Sequence, residues 1–67
     1  MKILKLVGSD KYIERVYTYE DGFDGLELTR DIEEAIDSTG FLTETLSYIA
    51  KEVKEQHDCK VQVMEVL

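Results

Sequence analysis

Residues 41–57 read Phe41-Leu42-Thr43-Glu44-Thr45-Leu46-Ser47-Tyr48-Ile49-Ala50-Lys51-Glu52-Val53-Lys54-Glu55-Gln56-His57. Leu42, Leu46, Ile49, Ala50, Val53 and His57 recur at steps of three and four, the spacing of a single helical stripe. Glu44 lies near the start of the run and Lys51, Lys54 and His57 near its end, so the charges complement the helix dipole. The run predicts the main helix of the fold. Ser38, Thr39 and Thr43 are the candidates for its N-cap.

Moving outward, Asp58-Cys59 leads into residues 60–67. Val61, Val63, Met64 and Val66 make this stretch a strand that is apolar on both faces apart from Gln62 and Glu65. That pattern is more typical of a central strand than of an edge. It would lie between the first two strands or beside the first. Upstream, residues 2–7 read as a strand rich in Ile, Leu and Val, and Gly8-Ser9-Asp10-Lys11 as a turn. Residues 12–20 hold Ile13, Val16, Tyr17, Thr18 and Tyr19, which predicts a second strand closing a β-hairpin. Strict alternation puts Ile13, Arg15, Tyr17 and Tyr19 on one face and Tyr12, Glu14, Val16 and Thr18 on the other, wetter one. Residues 20–25 read as a loop and 26–28 as a short extended piece. Thr29 then caps a brief helix over residues 31–35. The expected fold is α+β in the order β-β-(short helix)-α-β. A three-stranded antiparallel or mixed sheet carries one main helix on one face.

Residues 25–37 run Gly25-Leu26-Glu27-Leu28-Thr29-Arg30-Asp31-Ile32-Glu33-Glu34-Ala35-Ile36-Asp37. This stretch resembles a run in small, mostly uncharacterised proteins encoded by phages and prophages of Gram-positive bacteria. Those proteins combine a β-hairpin, a Leu-Thr-x-Asp-x-Glu-Glu-Ala segment, a helix and a last strand. The resemblance covers about ten residues as a motif and most of the chain as architecture. It implies a phage-like origin and this fold, and it brings no catalytic residues with it.

At 67 residues and 7.7 kDa the chain is expected to form a single small domain. Hydrophobic residues make up 43%, too many for a wholly disordered chain. A chain this short folds with little margin, which favours tight packing, a homodimer or other oligomer, or a bound partner. Its core is too small to enclose a drug-sized pocket. The single cysteine, Cys59, cannot form an internal disulfide. Lys5 interrupts the apolar N-terminal stretch, so no signal-peptide pattern emerges. No apolar run reaches the ~20 residues that cross a bilayer. These features point to a soluble protein of a reducing, cytoplasmic setting, the bacterial host cell under the phage resemblance.

Fifteen acids oppose eight bases, for a net charge of −7. Residues 20–37 hold eight acids and only one base, Arg30, so this segment carries the whole net charge. Such a balance argues against binding nucleic acid through phosphates and against an anionic membrane. It favours either a solvated surface or an acidic patch that docks on a protein with a basic surface. The contact candidates are Glu20, Asp21, Asp24, Glu27, Asp31, Glu33 and Glu34, flanked by Tyr17 and Tyr19. Tyrosine suits interfaces because its ring is apolar and its tip polar.

Metal and catalytic constellations are poor. An EF-hand started at Glu20 would have Gly22 at a ligand position and Glu27 where a hydrophobe belongs. His57 and Cys59 supply two zinc ligands where a structural site needs four. As a nucleophile and base they lie two apart, a spacing that does not face on a helix. The chain therefore reads as a non-enzymatic binding module with no cofactor. The alternative is a homo-oligomeric metal-binding or enzymatic protein whose site forms across subunits.

Overall fold

The computed structural model describes residues 1–67. Strands β1 (Lys2–Leu6), β2 (Tyr12–Tyr19) and β3 (Gly22–Thr29) come first. A single 3₁₀ turn follows (Ile32–Glu34), then helix α1 (Thr43–His57) and strand β4 (Val61–Glu65). The four strands form one sheet in the order β3-β2-β1-β4, each antiparallel to its neighbours.

The architecture is α+β, but the sheet has four strands. The expected loop at residues 20–25 is only a two-residue connection, Glu20-Asp21, and the short extended piece is the middle of an eight-residue strand. Leu26 and Leu28 pair with Val16 and Ile13 and pack against the core, so a third strand is favoured by burial that local composition does not show. The strand at residues 61–65 is an edge, not a central strand; it lies beside β1, and β1 takes the interior place. Its apolar residues are therefore unequally covered: Val61 is half-buried and Val63 is 54% exposed. The expected brief helix is reduced to one 3₁₀ turn capped by Asp31, whose side chain accepts from the Glu33 N–H at 2.9 Å. Thr29 acts one step earlier, its hydroxyl accepting from the Asp31 N–H at 3.0 Å.

Helix α1 packs on one face of the sheet. Leu4, Leu6, Ile13, Ile49 and Val53 form the core cluster, bordered by Val16, Leu26, Leu28, Ile36, Phe41, Tyr48, Cys59 and Val61. The helix is turned relative to the stripe read from sequence. Ile49 and Val53 are buried, but Leu42 is 70% exposed, and Leu46, Ala50 and His57 are exposed. Tyr48 takes their place: its ring stacks on Phe23 of β3 at 4.4 Å, and its oxygen accepts from the Gly25 N–H at 2.6 Å. Aromatic stacking plus a hydrogen bond anchors this side of the helix. The N-cap is Leu42, with no side-chain bond, so none of the three candidates fills it. At the other end Asp58 adopts the left-handed conformation (φ 53°), and its N–H donates to the Lys54 carbonyl. Its carboxylate lies 2.8 Å from the Lys54 ammonium.

Strands β1 and β2 pair only near their turn, at Lys5 and Tyr12. Beyond that point residues 36–38 lie between them. The Ile36 N–H donates to the Ile13 carbonyl of β2 at 2.9 Å, and the Ser38 N–H to the Lys2 carbonyl of β1 at 2.7 Å. The buried Ser38 hydroxyl adds a 3.0 Å bond to the same carbonyl. The Lys2 N–H donates to the Asp37 carboxylate at 3.2 Å. Thr39 donates to that carboxylate oxygen through its hydroxyl at 2.7 Å and its N–H at 3.0 Å. The Thr39 bonds first, then the Lys2 N–H, hold the Asp37 carboxyl down to about 2.

Two outcomes test this bridge. Removing the buried hydroxyl in Ser38→Ala should cost about 1 kcal/mol and lower Tm by about 4–8 °C. Asp37 has a folded pKa below its ordinary 3.8, so its contribution is full above that value and is lost as pH falls towards 2. Urea midpoints of the wild type should therefore drop through that window, whereas Asp37→Asn should start lower and show a flatter profile.

Candidate functional site

Two bulges interrupt the pairing of β2 with β3: one on β2 between Ile13 and Arg15, and one on β3, where Asp24 and Gly25 together face Tyr17 between Val16 and Thr18. Each bulge adds a residue and turns the strand. Strict alternation therefore fails: Ile13 and Val16 both pack on the core, while Arg15 pairs with Glu27 away from it. Glu14, in the first bulge, comes within hydrogen-bonding reach of Glu27 and Glu34. The Tyr17 hydroxyl, opposite the second, donates to the Glu27 carboxylate. Thr29 donates to Glu34 at 3.3 Å and holds the 3₁₀ turn against the sheet. Glu14, Arg15 and Glu34 line an open depression of about 380 Å³.

The electrostatics follow from this crowding. Partial loss of water and the neighbouring Glu34 and Glu27 carboxyls push the Glu14 carboxyl above its ordinary 4.5. Glu27 moves the other way, because Tyr17 and then Glu14 donate to its ionised form. Tyr17 is raised because its proton is engaged by Glu27. Three carboxyls thus lie close together, with Arg15 the cation beside them. Arg30 is directed elsewhere, 3.6 Å from Asp10.

Of the residues singled out in the sequence, Tyr17, Glu27 and Glu34 meet here. Glu20 and Asp21 form the β2–β3 connection, Asp24 is exposed on β3, and Tyr19 is 62% exposed opposite Gly22. Asp31 is occupied as the turn cap, and Glu33 is exposed beside it. Glu14 was absent from the sequence-based set. It lies outside the acid-rich segment, and the only signal for it was its placement on the wetter face of the second strand.

Elsewhere the chemistry is sparse. No group of three or more His, Cys, Asp or Glu side chains is arranged to hold a metal ion. The Cys59 thiol donates to the backbone carbonyl of His57 at 3.3 Å, so it engages the main chain and not the imidazole. The stretch tested as an EF-hand is largely strand, Gly22–Thr29, and does not curl into a loop. A groove of about 340 Å³ between β3 and α1 is lined by Gly25, Leu26, Glu52, Gln56 and His57. No helix is long and apolar enough to cross a membrane.

Because the folded Glu14 carboxyl is raised, its favourable contribution is complete below pH 4.5 and is lost as pH rises through the folded value. Glu14→Gln should therefore be more stable than the wild type at pH 7, with the advantage vanishing below pH 4.5. Thermal melts at the two pH values check this; a variant less stable at pH 7 contradicts the crowding.

No protein-family model matches this chain, and neither a curated protein nor a solved structure matches it.

Proposed function

We propose that this chain is a non-enzymatic protein-binding module, a phage-like accessory protein that docks on a basic surface of a protein partner in the bacterial cytoplasm. The observation that carries this reading is the crowding of Glu14, Glu27 and Glu34 beside Tyr17. Three carboxyls crowd one place, where like charge opposes ionisation of Glu14. A Lys or Arg side chain from a partner would offset that repulsion, so binding gains where the free protein crowds its carboxyls. Arg is favoured, since its planar fork can meet two carboxylates at once.

The wider segment supports the same reading. Glu20, Asp21, Asp24, Asp31 and Glu33 extend the negative field around this centre, and such a field raises the rate of encounter with a basic partner. Tyr17 and Tyr19 are exposed next to it and offer rings that a partner can cover. Affinity would reside in the carboxyl cluster and Tyr17, with the outer acids acting on the association rate.

Capture from bacterial lysate at low and high salt tests the proposal, with wild type beside Glu14→Gln/Glu27→Gln/Glu34→Gln and beside Asp21→Asn/Asp24→Asn. A basic protein held by the wild type at low salt, released by salt and lost in the triple variant is the expected result. The double variant should retain the partner with slower association. No capture, or capture indifferent to the triple substitution in a folded variant, overturns the docking surface.

A further inference from the structure

We propose that β4 pairs edge to edge with β4 of a second copy of this chain, joining two four-stranded sheets across a two-fold axis. The inference is independent of the acidic docking surface and rests on the other side of the sheet.

Hydrogen-bond parity shows what the edge offers. The Val7 N–H donates to the Lys60 carbonyl and the Val66 N–H to the Met1 carbonyl, each at 2.8 Å. The register between them is unbroken, with Ile3 opposite Met64 and Lys5 opposite Gln62. In an antiparallel ladder bonded and non-bonded pairs alternate. The even-numbered residues of β4 therefore face β1 with their N–H and C=O groups. Those of Val61, Val63 and Glu65 point outward, where the sheet ends.

The two edges of the sheet are unlike. Along β3, Asp24, Glu27 and two glycines combine with a bulge of its own at Asp24-Gly25 and one in its neighbour β2, all features that discourage pairing. Strand β4 has no proline, no lysine and no bulge within its span. It also carries Val63, 54% exposed although it pairs with fully buried Leu4.

Charge decides which edge a second copy can take. Each chain bears −7, concentrated in residues 20–37. Pairing β3 with β3 would set Asp24 and Glu27 of both copies together. Pairing β3 with β4 would leave open edges for further copies and still involve the acidic strand. Pairing β4 with β4 leaves both acidic β3 strands at the outer ends of one eight-stranded sheet, with three strands between each and the junction. An antiparallel edge is also its own complement under a two-fold. The outward groups require odd-numbered residues to face odd-numbered ones. Centring the axis on Val63 pairs all of residues 61–65 and sets Val61 opposite Glu65. Centring it on Glu65 would oppose two carboxylates and is disfavoured.

Sedimentation of the full chain from about 1 μM to about 1 mM should show a monomer converting to a dimer. Amide exchange at Val61, Val63 and Glu65 should slow only at the dimeric end. Val63→Lys, which places two ammonium groups at the axis, should remain monomeric. Cys59→Ser/Val63→Cys should oxidise to a covalent dimer, because facing residues of this kind lie ~5.5 Å apart between Cα atoms. If Val63→Lys loses its helical circular dichroism, the cross-link and the exchange pattern decide. A wild type that stays monomeric throughout overturns the proposal. So does a dimer that survives in folded Val63→Lys, or one whose amides at Val61, Val63 and Glu65 stay unprotected.

Discussion

Lys2 bonds its carbonyl to Ser38 and its amide to the Asp37 carboxylate, and the fold depends on that exchange. Strand β1 is interior to the sheet, yet its own hairpin partner leaves it after one paired position. Main-chain groups abandoned there would be costly if left dry. Residues 36–38 fill the gap and bond to both strands, so a connecting segment serves as a short length of sheet. The same insertion seats Ile36 against the core and delivers the chain to Phe41 and the start of α1.

That bridge also explains how charge is gathered. With residues 36–38 held between the strands, the 3₁₀ turn just before them is brought to Thr29 and to the bulge in β2. Glu34 then reaches Glu14, and Glu27 joins from β3 with Tyr17 bonded to it. Residues twenty positions apart in the chain meet because two irregular features, a bulge and an inserted turn, coincide. The acids that lie on the regular hairpin end, Glu20 and Asp21, stay apart from one another's chemistry and in solvent.

Helix and sheet are matched unevenly. Buried side chains on α1 are confined to Ile49 and Val53, with Tyr48 clamped on β3 through Phe23 and Gly25. The clamp draws one side of the helix towards β3, and Leu42 and Leu46 are left exposed on its first turns. Strand β4, at the opposite edge, is accordingly covered at Val61 and open at Val63.

The amino-acid sequence by itself determined the α+β class, the span of α1, the first two strands and the last one, and the acidic segment of residues 20–37. Those are written in local periodicity, β-branched runs and formal charge, which need no partner to be read. Tertiary structure decided the rest. Residues 22–29 became a strand because Leu26 and Leu28 found Val16 and Ile13 across the sheet, a long-range pairing that two glycines and two acids obscure. The final strand became an edge because residues 36–38 and β2 together occupied the other side of β1. Tyr48 displaced Leu42, Leu46 and Ala50 from the buried side of α1, since helical spacing shows a stripe but not which flank finds an aromatic to stack on. Glu14 entered the carboxyl cluster only because a bulge shifted the alternation of β2, and a bulge is set by the fit between strands and not by either strand alone.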